Sequence, residues 1–192
     1  TYKEVLEMAQ LGAKVIHPSA VELLENARIP IRILSTLKEG PGTLVAANLE
    51  GSPFRKKKVV TSVAVASPRS LVLLKNNQAA TVFKIVAEEQ VSVDLINVSP
   101  ESISFTIDSH TEEKVQSVLP DAIITEGYAK VSVVGAGMRG VPGVMAQVVG
   151  ALAKNNIEII RTVDSHTSIS CLVKEEDLKE ATKALHDAFL LT

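Results

Sequence analysis

The sequence predicts an α+β protein in which one small βαββα unit occurs twice. Three observations carry this. The stretch AEEQVSVDLINVSPESISFTID (87–108) lies over AKNNIEIIRTVDSHTSISCLVK (153–174) without a gap, so that Ile103 falls on Ile169 at an offset of 66. The helices that follow stay in register, Val115 on Ala181 and Leu119 on Leu185. Runs of alternating β-branched residues are separated by runs with helical spacing in the same order both times. An ungapped internal match of this length marks a duplication.

The elements follow in order. Residues 2–11 place Val5, Leu6, Met8 and Ala9 at helical spacing, and Gly12 is placed to stop that helix. A second helix is expected over 18–27, opened by Pro18, whose missing N–H needs no partner in a first turn. IPIRIL and GTLVAA read as short strands around the turn EGPG, and 48–58, polar with Gly51, Ser52 and Pro53, reads as a linker. The first unit then comprises strands over 71–74, 91–98 and 102–107 and helices over 79–89 and 112–119, with a short strand at 123–125. Ser109 and Glu112 fit a capping box for its second helix. The second unit repeats the pattern with strands at 130–134, 157–163 and 167–173 and helices at 144–154 and 177–189.

The two copies differ in one loop. Their first strands are offset by only 60 (Leu71 to Val131), so the second copy's strand-to-helix loop is six residues longer. The second copy also ends at its last helix, without a counterpart of 123–125, and an open sheet edge is a liability. The unassigned strand 59–65 is the candidate to fill it, which implies that the first unit is inserted into the second.

Composition excludes several function classes. Hydrophobic residues make up 46% and charged residues 22% of 192, with a net charge of −2, an ordinary globular balance. Such a balance gives no electrostatic basis for a nucleic-acid or membrane partner. The basic run Arg55-Lys56-Lys57-Lys58 reads as a solvated linker. The single cysteine, Cys171, permits no intramolecular disulfide and sits in an apolar run, as a small core residue. With no signal-like segment and no bilayer-length apolar run, a cytoplasmic protein is expected. The first residue is Thr, so the chain is expected to be processed or part of something longer.

Gly135-Ala136-Gly137-Met138-Arg139-Gly140 is a literal G-x-G-x-x-G after a strand, with Glu158 about 20 residues on. A dinucleotide site is nevertheless read against. Pro142 and Gly143 would fall inside the required helix, Glu158 lies near the start of its strand rather than its end, and the first copy's loop has no glycine. A helix opening after Val141-Pro142-Gly143 is more natural. Such a turn can offer backbone N–H groups to a carboxylate, or can be simply a tight turn. The first copy's loop is Lys75-Asn76-Asn77-Gln78, whose side chains can bond a ligand or cap a helix. No catalytic residues are assigned. His17, His110, His166 and His186 have no metal-ligand spacing, so no metal is expected, and Asp164-Ser165-His166 reads as a hairpin turn.

Two copies of this unit with a glycine turn before a helix resemble ACT domains, the amino-acid-sensing modules of metabolic enzymes, which have a ferredoxin-like βαββαβ fold. Gly-Ala-Lys-Val-Ile-His-Pro (12–18), Ile-Pro-Ile-Arg-Ile (29–33) and Gly-Thr-Leu-Val (42–45) resemble the closing segment of an aspartokinase catalytic domain. Val-Thr-Ser-Val-Ala (60–64), Asn-Val-Ser (97–99), Ile-Ser-Phe-Thr (103–106), Lys-Val-Ser-Val-Val-Gly-Ala-Gly-Met-Arg (130–139) and Pro-Gly-Val (142–144) resemble that family's regulatory region, and Asp-Ser-His-Thr (164–167) is similar to its Gram-positive monofunctional members. The resemblance implies a kinase-domain tail over 1–47, a linker over 48–58, a strand at 59–66 completing the second ACT module, a first module over 67–126 and a second over 127–192.

The resemblance further implies the regulatory portion of aspartate kinase, binding lysine, threonine or diaminopimelate for feedback control. ATP and magnesium belong to the full-length kinase, not to this chain, which lacks the family's catalytic motifs and is expected to be inactive alone. Implied partners are an amino-acid effector, a second copy through the ACT modules, and a kinase catalytic domain or subunit. Carried over residue by residue, the effector site takes Asn76, Asn77, Gln78, Ala79, Val93, Asp94 and Asn97. Met138, Arg139, Val141, Pro142 and Asn156 are the second module's counterparts. Members that sense threonine or lysine usually carry Asp-x-Pro-Gly in the first loop; this chain does not, which leaves the effector open. Two other readings are a stand-alone ACT regulator, against which residues 1–45 count, and a nucleic-acid module on the ferredoxin-like fold. The latter needs stacking aromatics on the sheet, where SISFTI and SISCLV offer only Phe105. Residues 1–45 are expected to be partly disordered without further kinase-domain packing.

Overall fold

Two strands organise the molecule. In the computed structural model, which describes residues 1–47, 58–75, 78–138 and 140–191, strand β3 runs over Ser62–Leu74 and strand β6 over Ile123–Val134. They pair antiparallel along most of their lengths. The N-terminal part of β3 lies against the C-terminal part of β6, Ser62 opposite Val134 through Ala66 opposite Lys130, and the other ends pair Leu71 with Thr125 through Leu73 with Ile123. The separate strands expected at 59–65 and 71–74, and at 123–125 and 130–134, are thus halves of two long ones. Ser67-Pro68 and Gly127 look like breaks in the sequence. The register does shift between Ala66 and Arg69, where proline offers no N–H, but flanking partners keep the backbone extended through the irregularity.

Four shorter strands complete a six-stranded sheet of order β4-β5-β3-β6-β8-β7: β4 Asp94–Val98, β5 Ile103–Asp108, β7 Arg161–Asp164 and β8 Ser168–Lys174. In one half, β4 and β5 flank the C-terminal part of β3. In the other, β8 and β7 flank the C-terminal part of β6, and residues 62–66 close that half on its far side. The chain therefore leaves the second half-sheet after residue 66, builds the first, and returns along β6.

Each half carries its own helices on one face. Alternate strand residues Val72, Leu74, Ile103, Phe105 and Ile107 point into a core closed by α3 (Ala79–Glu88) and α4 (Glu112–Val118), through Val82, Val86 and Val115. Val131, Val133, Ile169, Cys171 and Val173 do the same beneath α5 (Val144–Lys154) and α6 (Leu178–Ala188), through Val148, Leu152, Ala181 and Leu185. The opposite face is also largely buried, with small or polar Ala64, Ala66, Ser104, Thr106, Ser132, Ser168 and Ser170 beside the larger Leu71, Val134 and Leu172.

Helix α1 (Tyr2–Gln10) meets β3 and β6. Ser168 Oγ donates to Glu7 at 2.6 Å, and the Ala136 N–H reaches Glu4 at 3.5 Å. With α2 (Pro18–Ala27) and the strand pair β1 (Ile31–Ile33) and β2 (Thr43–Val45), α1 forms a small core around Tyr2, Val21 and Val45. The expected partial disorder of 1–45 is corrected by this: the segment has a core of its own and polar anchors on the second half-sheet. The linker expected over 48–58 falls, except for Lys58, outside the described residues.

Three further expectations shift for physical reasons. The strands expected from 91 and 157 begin at 94 and 161, because Val91 and Ile157 close helix ends instead. Gln90 and Asn156 adopt left-handed φ of 55° and 57°, and the next N–H groups, of Val91 and Ile157, return to Val86 and Leu152. That is the six-to-one bond of a Schellman cap, with the following apolar side chain tucked into the core. The capping box at Ser109 and Glu112 does not form. Residues Ser109–Thr111 make a 3-10 turn, and the fully buried Ser70 hydroxyl takes both partners, donating to Glu112 and lying 2.8 Å from Ser109 Oγ. A buried hydroxyl without a partner costs more than a missing cap.

A paired substitution tests this packing. A Cβ at Gly135 would lie 2.1 Å from the Val59 carbonyl oxygen, whereas one at Gly150, inside α5, meets nothing within 4 Å. Urea denaturation should show Gly135→Ala destabilised by about 1–3 kcal/mol from overpacking. Gly150→Ala should be stabilised by about 0.5–1 kcal/mol from helix propensity.

Candidate functional site

The glycine loop after β6 is a packing device. Gly135 and Gly137 lie under the backbone of residues 58–60, with the Gly135 N–H bonded to the Thr167 carbonyl at 2.9 Å. Met138 turns inward and is buried in the second core. Gly143, at φ +90°, caps α5, so the helix opens after Val141-Pro142-Gly143. This is the arrangement that argues against a dinucleotide fingerprint. The Asp164-Ser165-His166 stretch is a turn whose Ser165 Oγ accepts from the N–H groups of Thr167 (3.1 Å) and Ser168 (2.9 Å).

The residues assigned to an effector site fall into two groups on separate cores. In the first half, Gln78 occupies the N-cap position of α3, and Ala79 and Val93 pack against the core around Phe105. Asn97 is exposed on the outer strand β4. Asn76, Asn77 and Arg139 lie outside the described residues. In the second half, Val141 and Pro142 are exposed before α5, while Asn156 is the left-handed residue of the α5 cap. The backbone role of Asn156 shows only once the cap is seen.

Asp94 stands apart. β4 bulges here, taking three steps from Asp94 to Asn97 while β5 takes two from Thr106 to Ser104, and Leu95 has φ +47°. The bulge places Leu95 with Leu71 and Leu172 in a buried cluster against Tyr128 and Ile160, where the two half-sheets meet and the outer strands β4 and β7 approach. Beside this cluster the Asp94 carboxylate accepts from the Leu95 N–H at 2.8 Å and from the Lys130 ammonium. Lys130 is 4% exposed, and Arg69 nearby is bound to Asp108 at 2.5 Å. Sequence reasoning passed over Lys130, although a lysine in the otherwise apolar strand AKVSVV was the available signal.

Burial alone would push the Asp94 carboxyl up. The Lys130 hydrogen bond and charge, with the Leu95 N–H and the Arg69 charge, hold it below its ordinary range. Burial also pushes the Cys171 thiol up to about 11. Phe105 is fully buried, its ring 5.7 Å from that of Phe83, and so presents no stacking platform for bases. Among the described residues no group of three His, Cys, Asp or Glu could hold a metal ion, and no helix is long and apolar enough to cross a membrane.

Comparison with known proteins agrees with this architecture. Residues 123–187 match the ACT domain family model. Aspartokinase 1 of Bacillus subtilis (strain 168) is 37% identical over 100% of this chain and 50% of its own length. The regulatory subunit of aspartate kinase from Thermus thermophilus, in a ligand-free form, is 30% identical, with a TM-score of 0.64 over 69% of this chain and 99% of that one. The chain belongs to the aspartokinase family. E. coli aspartokinase III in complex with lysine and aspartate (T-state) is 28% identical, with a TM-score of 0.74 over 98% of this chain and 45% of that chain. The chain spans about half the length of the curated relatives it matches. Its duplicated units are ACT modules on a ferredoxin-like α+β plan, as their strand order and helix placement require.

Two measurements check the site's electrostatics. A carboxylate whose native pKa is depressed stabilises the fold fully above its unfolded value, about pH 4, and loses that contribution as pH falls through the native value. Wild-type stability over Asp94→Asn should therefore be largest near neutral pH and shrink below about pH 4 in urea titrations. Native Cys171, buried and un-ionised, should resist a thiol reagent such as DTNB at pH 8 and react once the chain is unfolded in denaturant.

Proposed function

We propose that this chain is the regulatory portion of an aspartate kinase, in which the ACT pair binds an end-product amino acid and biases the activity of a kinase core. The observation that carries the reading is mechanical. Both ACT modules are built on the same two strands, β3 and β6, so an effector that alters one half-sheet acts on strands the other half cannot do without. Coupling of about 1–3 kcal/mol between sites is typical of such systems. Family membership supplies the chemical context, and the lysine held by E. coli aspartokinase III supports a small amino acid as ligand.

The proposed effector site comprises the loop before α3 and strand β4, with Gln78, Ala79, Val93, Asp94 and Asn97. The turn before α5, with Val141 and Pro142 exposed and Met138 buried, and Asn156 beyond that helix are its counterparts. The division into a kinase-domain tail at 1–47, a β-strand at 59–66 completing the second module, and ACT modules at 67–126 and 127–192 belongs to the same proposal. So do pairing of ACT modules between two copies and a cytoplasmic location. Residues 1–47 leave the apolar side chains of Val15, Leu23, Ile29, Leu34, Leu37 and Leu44 exposed, as a segment that packs against the rest of a kinase domain would. ATP and magnesium act in that domain.

Titration with lysine, threonine and diaminopimelate tests the reading. An effector at 100 times its Kd adds about 2.7 kcal/mol. For a chain of this size that corresponds to a rise of roughly 5–10 °C in melting temperature. Absence of a shift with all three would remove the sensing role.

A further inference from the structure

The Asp94–Lys130 pair is a contact between ACT modules, from the bulge of β4 in the first to β6 in the second. Among the described residues Lys130 is the only buried lysine or arginine. Both Asp94 oxygens are taken, Oδ1 by the Leu95 N–H and Oδ2 by the Lys130 ammonium, although the carboxylate is 40% exposed. Thr106, opposite Asp94 across the strands and so on the same face of the sheet, is fully buried with its hydroxyl unpartnered. The duplication does not repeat the pair. By the offsets of the two copies Asp94 corresponds to Ile160 and Lys130 to Ser70, so nothing in the shared fold demands it.

A carboxylate at a partly open edge, with a primary alkylammonium already on it, is chemically an occupied ammonium site. We infer that Lys130 is a tethered ligand for Asp94 and thereby a specificity-determining residue of the first ACT module. The chain's own ammonium holds the carboxylate that an effector with a cationic side chain would need. A lysine-like ligand must displace a neighbour at very high effective concentration, whereas an amino acid with an uncharged side chain has no such competitor. The first module therefore discriminates against cationic side chains. This specificity rests on the proposed effector reading; the self-occupied ammonium site does not.

Chemical rescue separates the two. In Lys130→Ala, thermal unfolding is followed in n-butylammonium chloride and in sodium chloride at equal ionic strength. Butylammonium should raise the variant's melting temperature by roughly 2–4 °C over the salt control, the shift of about 1 kcal/mol in a chain of this length. Neither wild type nor Asp94→Asn/Lys130→Ala should respond. Should Lys130→Ala fold poorly, its refolding yield in the two salts gives the same reading. Equal responses in the two salts, or equal rescue of the double variant, would overturn the ammonium site.

Calorimetric titration of Lys130→Ala should show an affinity for lysine at least about tenfold above wild type, one strong charged contact, with threonine changed little. Rescue by butylammonium without that gain would overturn the specificity role. A wild type that binds no amino acid, alongside intact rescue, would count against the effector reading and leave the ammonium site standing.

Discussion

Everything in this fold leans on the antiparallel pairing of β3 with β6. Neither ACT module owns a complete sheet. Residues 69–74 and 123–125 serve the first, 62–66 and 130–134 the second, and the strands pass from one to the other without a loop of ordinary length. Two cores that could otherwise be independent are thereby joined through covalent backbone and a hydrogen-bond ladder that resumes on both sides of its central irregularity. The join is reinforced at its centre by Leu71, Leu95 and Leu172, and by a buried charge that reaches between the modules. A linker would let the modules reorient at little cost; a shared strand resists that, because moving one half strains strand pairing on which the other half also depends.

The duplication and the order of elements were legible because they rest on the ungapped internal match and on β-branched runs, which the SISFTI and SISCLV stretches carry clearly. The opening of α5 after Gly143 was legible from the chemistry of Pro142 and Gly143. Strand continuity was not. Proline, serine and glycine at 67–70 and 126–127 carry the local signature of turns, and only flanking strands at both sides keep them extended. The late starts of β4 and β7 have the opposite cause: Val91 and Ile157 look like strand residues because they are apolar, but their burial comes from closing a helix.

The candidate site was legible in kind and not in wiring. Resemblance singled out Asp94 by its place after the first helix. What occupies that carboxylate could not be read locally, since Lys130 lies 36 positions away in the other half of the sheet. Its charge beside the apolar run of β6's C-terminal part was the only trace. The same holds for Ser70, whose burial redirected Ser109 and Glu112 away from a helix cap. Polar residues on central strands form long-range partnerships that no local pattern encodes, because the partner is chosen by topology.

The two copies have kept what a duplicated sheet requires and diverged where the halves meet. Ile103, Phe105 and Val115 keep apolar counterparts in Ile169, Cys171 and Ala181, all buried. At the junction, Asp94 faces the cluster from one copy where Ile160 does so from the other, and Thr106 stands where the second copy has Leu172. A symmetric pair of apolar junction residues would be compatible with more than one mutual placement of the modules. A single ion pair on one side, with its ammonium buried, favours one placement, because a placement that separates the two leaves Lys130 buried without its counter-ion. Asymmetry at the junction thus gives a duplicated fold one preferred arrangement, which a regulatory module must have before a ligand can shift it.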